Sequence, residues 1–401
     1  MTAGHSDTEQ GIRAPSLLDA LLPLILLAVL IAGSLLLFGL DALDGPIQVA
    51  LVLCCAAAAL IVLKNGHNWE KVQVAGQTAM SSVTSATFIL LAVGALIGTW
   101  NLSGTIPTLV YYGIQILSPG WFYAASAIIC AVVALSIGSS WTTAATIGVG
   151  LVGISTMLDV SPAITAGAVI SGAYLGDKTS PLSETTILTA QMVGVDVYDH
   201  IKRQVWTSVP AFLIAVSVFF VLGWRHTPSA GATVATETDL DALAEHFWIN
   251  PINLLPLVLL AFMSIRKVPA SLALIASALF AGALAAFTQP DQVAAFIGGG
   301  GNVVIESIKA TWQAMATGFQ AATGVGDVDR LVSRGGMDSM LFTLWLIFGA
   351  VTFGTLLEQF GLIGRLVDPM VASASSTGRL FLTVFACGFG LNIVAGDQYI
   401  A

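Results

Sequence analysis

Charge is scarce in this sequence, so the few charged side chains inside apolar stretches are the first candidates for chemistry. From Val72 to Gly176 the one charged residue is Asp159. The chain then reads Ala173-Tyr-Leu-Gly-Asp177-Lys178-Thr179-Ser180-Pro181-Leu-Ser183-Glu184-Thr185-Thr186, a cluster of carboxylates, hydroxyls and a cation between apolar runs. Gly176 and Pro181 predict that a helix unwinds here, because proline removes a backbone donor and clashes one turn back. Unwound backbone frees carbonyls. With Thr179, Ser180, Ser183 and a carboxylate they make the oxygen set that a hard cation such as Na⁺ prefers. Asp177 is the leading coupling residue and the expected Na⁺ ligand. A charge at mid-bilayer costs about 2.5–3.5 kcal/mol, so the carboxylate needs a proton, a cation or a basic partner. If Na⁺ and H⁺ each neutralise it, but not both together, one site exchanges them. Glu184 is the weaker candidate; the plain alternative is a helix-start acid beside Ser183. For the whole segment the alternative is a cytoplasmic loop with a solvated Asp177–Lys178 pair.

A second cluster is Ser136-Ile-Gly138-Ser139-Ser140-Trp141-Thr142-Thr143-Ala-Ala-Thr146. Glycine followed by a dense hydroxyl run predicts a hairpin tip. Its free N–H groups and the dipole of the next helix suit an anionic group or the wall of a cation site. Otherwise these are small residues that let helices pack closely. The third cluster is Gly388-Phe-Gly390-Leu-Asn392-Ile-Val-Ala-Gly396-Asp397-Gln398-Tyr399. Its Gly–Asp pair resembles Gly176–Asp177, which makes Asp397 the expected counterpart of Asp177, with Asn392 as a side-chain carbonyl donor. The alternative is a helix end facing water.

Other chemistries find little support. Cys54, Cys55, Cys130 and Cys387 lie in apolar runs without metal-ligand spacing. The five histidines fall in polar or flanking segments, and none forms a zinc pair. Gly298–Gly301 lacks the Lys-Ser/Thr of a phosphate loop. No nucleophile–base pair is visible, so the sequence predicts no enzyme and no cofactor beyond transported ions.

The elements that hold these clusters follow from composition. The chain has 401 residues, 56% hydrophobic and only 9% charged, against about 25% charged in soluble domains. Continuous apolar blocks such as Leu21–Leu40 and Pro46–Leu63 exclude the alternating pattern of barrel strands. The fold class is an all-α polytopic membrane protein with inverted-topology repeats and broken helices or re-entrant hairpins. The expected spans are 17–39, 46–63, 84–101, 105–117, 121–137, 139–158, 161–176, 204–223, 250–264, 270–288, 339–356, 360–373 and 378–393. Several are too short to cross alone, so about ten or eleven crossings are expected.

Lysine and arginine set orientation. Lys64, Lys71, Lys178, Lys202 and Arg203 mark cytoplasmic ends, and the acidic 225–249 segment is external. Lys309, Arg330 and Arg334 run against this pattern. The expected organisation is a cytoplasmic tail at 1–16, a first repeat at 17–203, a connecting span and external loop at 204–249, and a second repeat at 250–401. Phe88-Ile-Leu-Leu-Ala-Val-Gly-Ala-Leu-Ile-Gly-Thr…Ser103-Gly-Thr-Ile matches Thr343-Leu-Trp-Leu-Ile-Phe-Gly-Ala-Val-Thr-Phe-Gly-Thr…Phe360-Gly-Leu-Ile and supports the repeat. The predicted location is a bacterial inner (plasma) membrane, with the N-terminus cytoplasmic. The net charge of −9 argues against nucleic acid.

Several of these blocks resemble the NhaC family of sodium/proton antiporters. They are Gly94-Ala-Leu-Ile-Gly-Thr-Trp100…Ser103-Gly-Thr-Ile-Pro107…Tyr111-Tyr-Gly113, Gly138-Ser-Ser-Trp141-Thr-Thr and Gly172-Ala-Tyr-Leu-Gly-Asp-Lys-Thr-Ser-Pro-Leu-Ser183. Arg334-Gly-Gly-Met-Asp-Ser-Met340 and Asn392…Gly396-Asp-Gln-Tyr399 extend the likeness over nearly the whole chain. Where the family has Trp-Gly-Thr after the hairpin tip, this chain has Trp141-Thr142-Thr143. The resemblance implies an inverted-repeat fold and Na⁺ coupling. It also implies a further block after Ala401, so the second repeat is expected to be truncated. Relatives that exchange organic acids and amino acids leave the second substrate open. The expected partners are the lipid bilayer, Na⁺ and H⁺; a homodimer stays open. A channel is disfavoured, since a single-chain inverted repeat fits alternating access better than a ringed filter.

Overall fold

The structure is a computed structural model. It describes residues 12–181, 183–192, 194–225, 240–266, 268–299, 302–321, 323–324, 326–372 and 376–395. Every regular element among them is helical. Apolar residues run round most of the surface of the long helices Leu17–Phe38, Pro46–Lys64, Thr84–Leu102, Ala270–Thr288 and Leu341–Gln359, as expected where lipid replaces water. Among the described residues six helices are long and apolar enough to cross a membrane, or seven with one bent pair, against the ten or eleven crossings expected; the other apolar helices are shorter. The breaks at Gly104 and Gly138 fall between the expected segments 84–101 and 105–117 and between 121–137 and 139–158, and the helix Pro162–Thr179 ends near the expected unwinding.

The chain forms two compact units, Met1–Phe88 with Met340–Ala401, and Ile89–Ser339. In the first lie α1 (Leu17–Phe38), α2 (Pro46–Lys64), α3 (Trp69–Ser82), α18 (Leu341–Gln359), α19 (Leu362–Ala372) and α20 (Thr377–Ala395). Ser16 caps α1: its hydroxyl accepts from Asp19 N at 3.1 Å, and Asp19 Oδ2 accepts from Ser16 N at 3.0 Å. This reciprocal box satisfies two orphan donors. Lys64, in the last turn of α2, pairs with the same carboxylate. Helix α18 packs on α2 and α3. There Gly349 lets Leu51 approach, and Gln48 Nε2 donates to Phe342 O at 3.2 Å. Residues 65–83 hold α3, capped by Asn68.

The second unit starts within α4 (Thr84–Leu102). It continues through α5 (Thr105–Ile116), α6 (Phe122–Ile137), α7 (Ser140–Thr143), a π-helical turn at Ala144–Gly148 and α8 (Val149–Met157). Next come α9 (Pro162–Thr179), α10 (Glu184–Met192), α11 (Val197–Trp224) and α12 (Leu240–His246). It ends with α13 (Leu255–Ile265), α14 (Ala270–Thr288), α15 (Pro290–Ile297), α16 (Val303–Thr317) and α17 (Gly326–Val332). The segment 291–338 holds most of α15, all of α16 and α17, and irregular backbone. That backbone lies against α4: Gly336 N donates to Gly94 O at 2.7 Å, and a Cβ at Gly98 would collide with the α16 backbone at Ala314.

Candidate functional site

Small residues set the site's frame. Helices α6 and α9 pack with their backbones almost in contact. A side chain at Gly172 would meet Ala131 N at 2.9 Å, and one at Gly176 would meet Leu135 N at 2.5 Å and Ala134 Cβ at 2.6 Å. Ser180 Oγ donates to Leu135 O at 2.8 Å. The constant register of Gly172 on Ala127, Gly176 on Ala131 and Ser180 on Leu135 shows that the two helices run parallel. Between them the chain returns. Gly148 faces Val169 and Ser140 faces Asp177, so α7, the π-turn and α8 run antiparallel to α9. At the foot of this unit Ser161 N donates to Tyr123 Oη at 2.7 Å.

The reversal after α6 uses backbone that few residues accept. Gly138 has φ 77°, the left-handed conformation that glycine tolerates, and Ser139 then caps the next helix by accepting from Thr142 N at 3.2 Å. Ser140 is the first residue of that helix. Its N–H and its hydroxyl both donate to Asp177 Oδ2, at 3.2 and 2.7 Å. Asp177 is 5% exposed and Ser140 3%. Both bonds fall on Oδ2; Oδ1 takes neither. Among the described residues no lysine, arginine or histidine lies within ion-pair distance of Asp177. Lys178 is exposed and turned away. The Asp177–Lys178 segment is therefore not a solvated pair on an open loop.

Depth follows from helix rise. Val132 is the α6 position in register with Asp177, and the rise from Phe122 to it is about 15 Å. That end of the unit carries exposed Trp121 and Trp224, and Gly223 of α11 lies against the Gly120 backbone there. Trp206, also exposed, is about 27 Å away from Trp224 along α11. Tryptophans at such spacing are the usual anchors at the two membrane interfaces.

One expectation needs correction. The helix does not unwind at Gly176: α9 continues through Asp177 and Lys178 to Thr179. Gly176 serves close packing, and the break falls at Ser180–Ser183, before Pro181 could disturb α9. The hydroxyls accordingly divide. Thr179 Oγ1 donates to Leu175 O, Ser180 reaches α6, and Ser183 Oγ pairs with Thr185 Oγ1 and accepts from Thr186 N. Thr142 Oγ1 bonds Ser139 Oγ at 3.0 Å. Of the expected hydroxyl residues, the carboxylate is reached by Ser140. Glu184 is the first residue of α10; its side chain is outside the described set. Asn392 lies in α20 with its side chain also outside that set, and Asp397 lies outside the described residues.

Thr186 is a residue the sequence did not single out. It is buried and donates to Lys178 O at 3.1 Å and to Asp177 O at 3.4 Å, tying α10 to the end of α9. Its signal was its place in the hydroxyl run after Pro181. No group of three or more histidine, cysteine or acidic side chains among the described residues could hold a metal.

The model of the Na⁺/H⁺ antiporter family matches the chain in two overlapping stretches, residues 18–224 and 172–401. The chain is 35% identical over 379 residues to the Na⁺/H⁺ antiporter NhaC of Alkalihalophilus pseudofirmus, covering 94% of this chain and 78% of that protein. It is 31% identical to the malate-2H⁺/Na⁺-lactate antiporter of Bacillus subtilis, over 98% of this chain and 80% of the relative. It is also 31% identical to the arginine/ornithine antiporter ArcD of Halobacterium salinarum, over 97% and 77%. No solved structure matches. With its apolar helices and these relatives, the chain is a multi-pass membrane transporter rather than an enzyme, and it belongs to the Na⁺/H⁺ antiporter family.

Proposed function

We propose that this protein exchanges Na⁺ for H⁺ by alternating access, with both ions competing for the carboxylate of Asp177. The observation that carries this reading is a buried carboxylate that takes two donors from Ser140 and has no basic partner among the described residues. About 15 Å from the Trp121–Trp224 end is midway through a hydrocarbon core of about 30 Å. A lone charge at that depth is costly, and a bound proton or Na⁺ removes the cost. Donors on Oδ2 fix the carboxylate and leave Oδ1 to take either cation. The N-terminus of the helix that begins at Ser140 lends a partial positive charge, so the site holds a monovalent ion without a second acid. Lysine and arginine placement supports a cytoplasmic N-terminus and puts Lys202 and Arg203 on the same side. No cofactor enters; the ions are the substrates.

A second reading is favoured by two relatives. The malate/lactate and arginine/ornithine antiporters share this sequence pattern over nearly the whole chain, so a small organic acid or amino acid could replace one cation. Proteoliposomes with an entrapped pH dye separate the readings. An imposed Na⁺ gradient should move protons with no organic solute present, and Asp177→Asn should abolish that movement while the protein still inserts. Proton movement that requires malate, lactate or an amino acid would favour the second reading. Unchanged coupling in Asp177→Asn would remove the carboxylate from either.

A further inference from the structure

The second unit contains another polar centre, at the break between α4 and α5. The chain leaves α4 at Leu102, turns at Gly104 with φ 73°, and enters α5 at Thr105. Helix α5 runs parallel to α8, since Leu109 lies against Gly150 and Ile154 against Gly113. By that register the break lies about 8 Å from the Ser140–Asp177 level, toward the Trp121–Trp224 end.

Asn101, Ser103, Thr105, Thr108 and Asn253 are all 0% exposed. Ser103 and Thr105 share a hydrogen bond of 2.8 Å, and Thr105 Oγ1 donates to Asn253 O at 2.7 Å. The Asn253 amide is fixed, because Nδ2 donates to Trp248 O at 2.6 Å and to Thr108 Oγ1 at 3.1 Å. Its Oδ1 therefore has one possible direction, and there it meets no donor among the described residues. Neither Oδ1 nor Nδ2 of Asn101 meets a partner. Asn101 is one turn before Gly104, whose position is so close to the side chains of Asn253 and Gln289 that a Cβ would strike both. Leaving buried polar atoms unmatched costs about 1–3 kcal/mol each. The two carboxamide oxygens left so call for positive charge, and the Asn101 Nδ2 left beside its oxygen calls for an acceptor such as a water.

The backbone adds oxygen of its own. Pro107 has no N–H to reach back to Ser103 O, four residues earlier. The C-terminus of α4, the negative end of its dipole, points at the break, and the positive N-terminus of α5 faces it from the other side, so the two dipoles offset and the oxygens themselves carry the attraction. Neutral oxygens at a helix C-terminus are the donor set for a monovalent alkali cation. There is no carboxylate to take a proton.

We infer that the α4–α5 break, with Asn101 and Asn253 as side-chain ligands, is a second Na⁺ site, neutral in charge and blind to protons. It is distinct from the Asp177 site and does not rest on it. At Asp177 Na⁺ displaces H⁺, whereas here Na⁺ binds with the same affinity at any pH that keeps the protein folded. Occupancy also settles the two orphan oxygens, so Na⁺ stabilises the α4–α5 turn.

The test is equilibrium binding of ²²Na⁺ to the purified protein in nanodiscs, in mildly acidic and mildly alkaline buffers. Asp177→Asn should retain one saturable class of Na⁺ site whose affinity does not change with pH. Asn101→Leu, close in volume, should weaken that class about tenfold or more while the pH-dependent class persists. Asn101→Asp controls for folding: the new carboxyl should make the pH-independent class pH-dependent, with tighter Na⁺ binding in alkaline buffer. Loss of all Na⁺ binding in Asp177→Asn would overturn the inference, as would unchanged pH-independent binding in Asn101→Leu, which would mean that only structural water settles the amides. Failure of the Asp177 reading looks different, since it would leave no pH-dependent class in the parent.

Discussion

Gly176→Ala should disconnect Asp177 from Ser140 although it adds a single methyl group. The new Cβ would lie 2.5 Å from Leu135 N and 2.6 Å from Ala134 Cβ. Ordinary carbon contacts begin near 3.5 Å, so α6 and α9 must part by about 1 Å. The atoms in the way belong to the α6 backbone and an alanine, and neither can rotate aside. Overpacking of this kind costs about 1–3 kcal/mol. The Ser140 hydroxyl bond to Asp177 spans 2.7 Å, and an added 1 Å or so takes it out of hydrogen-bond range. Losing a bond to a charged group adds about 1.5–3 kcal/mol. Gly167, on the same helix, supplies the control, because a Cβ there meets nothing within 4 Å. Gly167→Ala should gain up to about 1 kcal/mol from helix propensity. The assay is the thermal midpoint in detergent together with Na⁺-driven proton movement in proteoliposomes. The two alanines should shift the midpoint in opposite directions, and Gly176→Ala alone should lose coupled transport. Equal behaviour would refute the view that glycine is there for close approach.

Other predictions follow from single contacts. Tyr123→Phe removes the hydroxyl that accepts from Ser161 N at 2.7 Å; it should cost about 0.5–1.5 kcal/mol, read as a lower thermal midpoint with transport retained, and an unchanged midpoint would contradict it. His67 sits edge-on to Phe360 at 4.8 Å, and burial together with the nearby Lys71 holds its pKa below the ordinary 6.5. The unfolded chain therefore binds a proton that the folded chain refuses, so stability is lost as pH falls through 6.5 toward the depressed folded value. His67→Phe should flatten that acid-side fall in thermal midpoint, whereas parallel pH curves for parent and variant would contradict the assignment.

Much of the fold was legible because apolar runs had clear edges. The expected 17–39, 46–63 and 270–288 correspond to Leu17–Phe38, Pro46–Lys64 and Ala270–Thr288. The site was legible in part. Asp177 stood out as a rare acid, and Ser140 as part of a hydroxyl run after glycine. What hydropathy could not reveal was pairing. Glycine has two uses, and sequence alone assigned Gly176 to helix breaking when its use is contact with α6. Hydroxyls near Asp177 in sequence were grouped with it, yet Thr179 turns to its own helix and Ser180 to α6. Asn101 carried a faint signal, an amide within an otherwise apolar block, but sequence could not show that its side chain is buried with no partner among the described residues.

Proton release on Na⁺ binding tests the central claim most directly. Purified protein in weakly buffered solution should acidify the medium when Na⁺ is added, by about one proton for each Na⁺ that occupies Asp177. K⁺ at equal ionic strength serves as the control. Asp177→Asn should release none. Release of the same size from Asp177→Asn, or Na⁺ binding by the parent without release, would contradict competition of the two ions for this carboxylate.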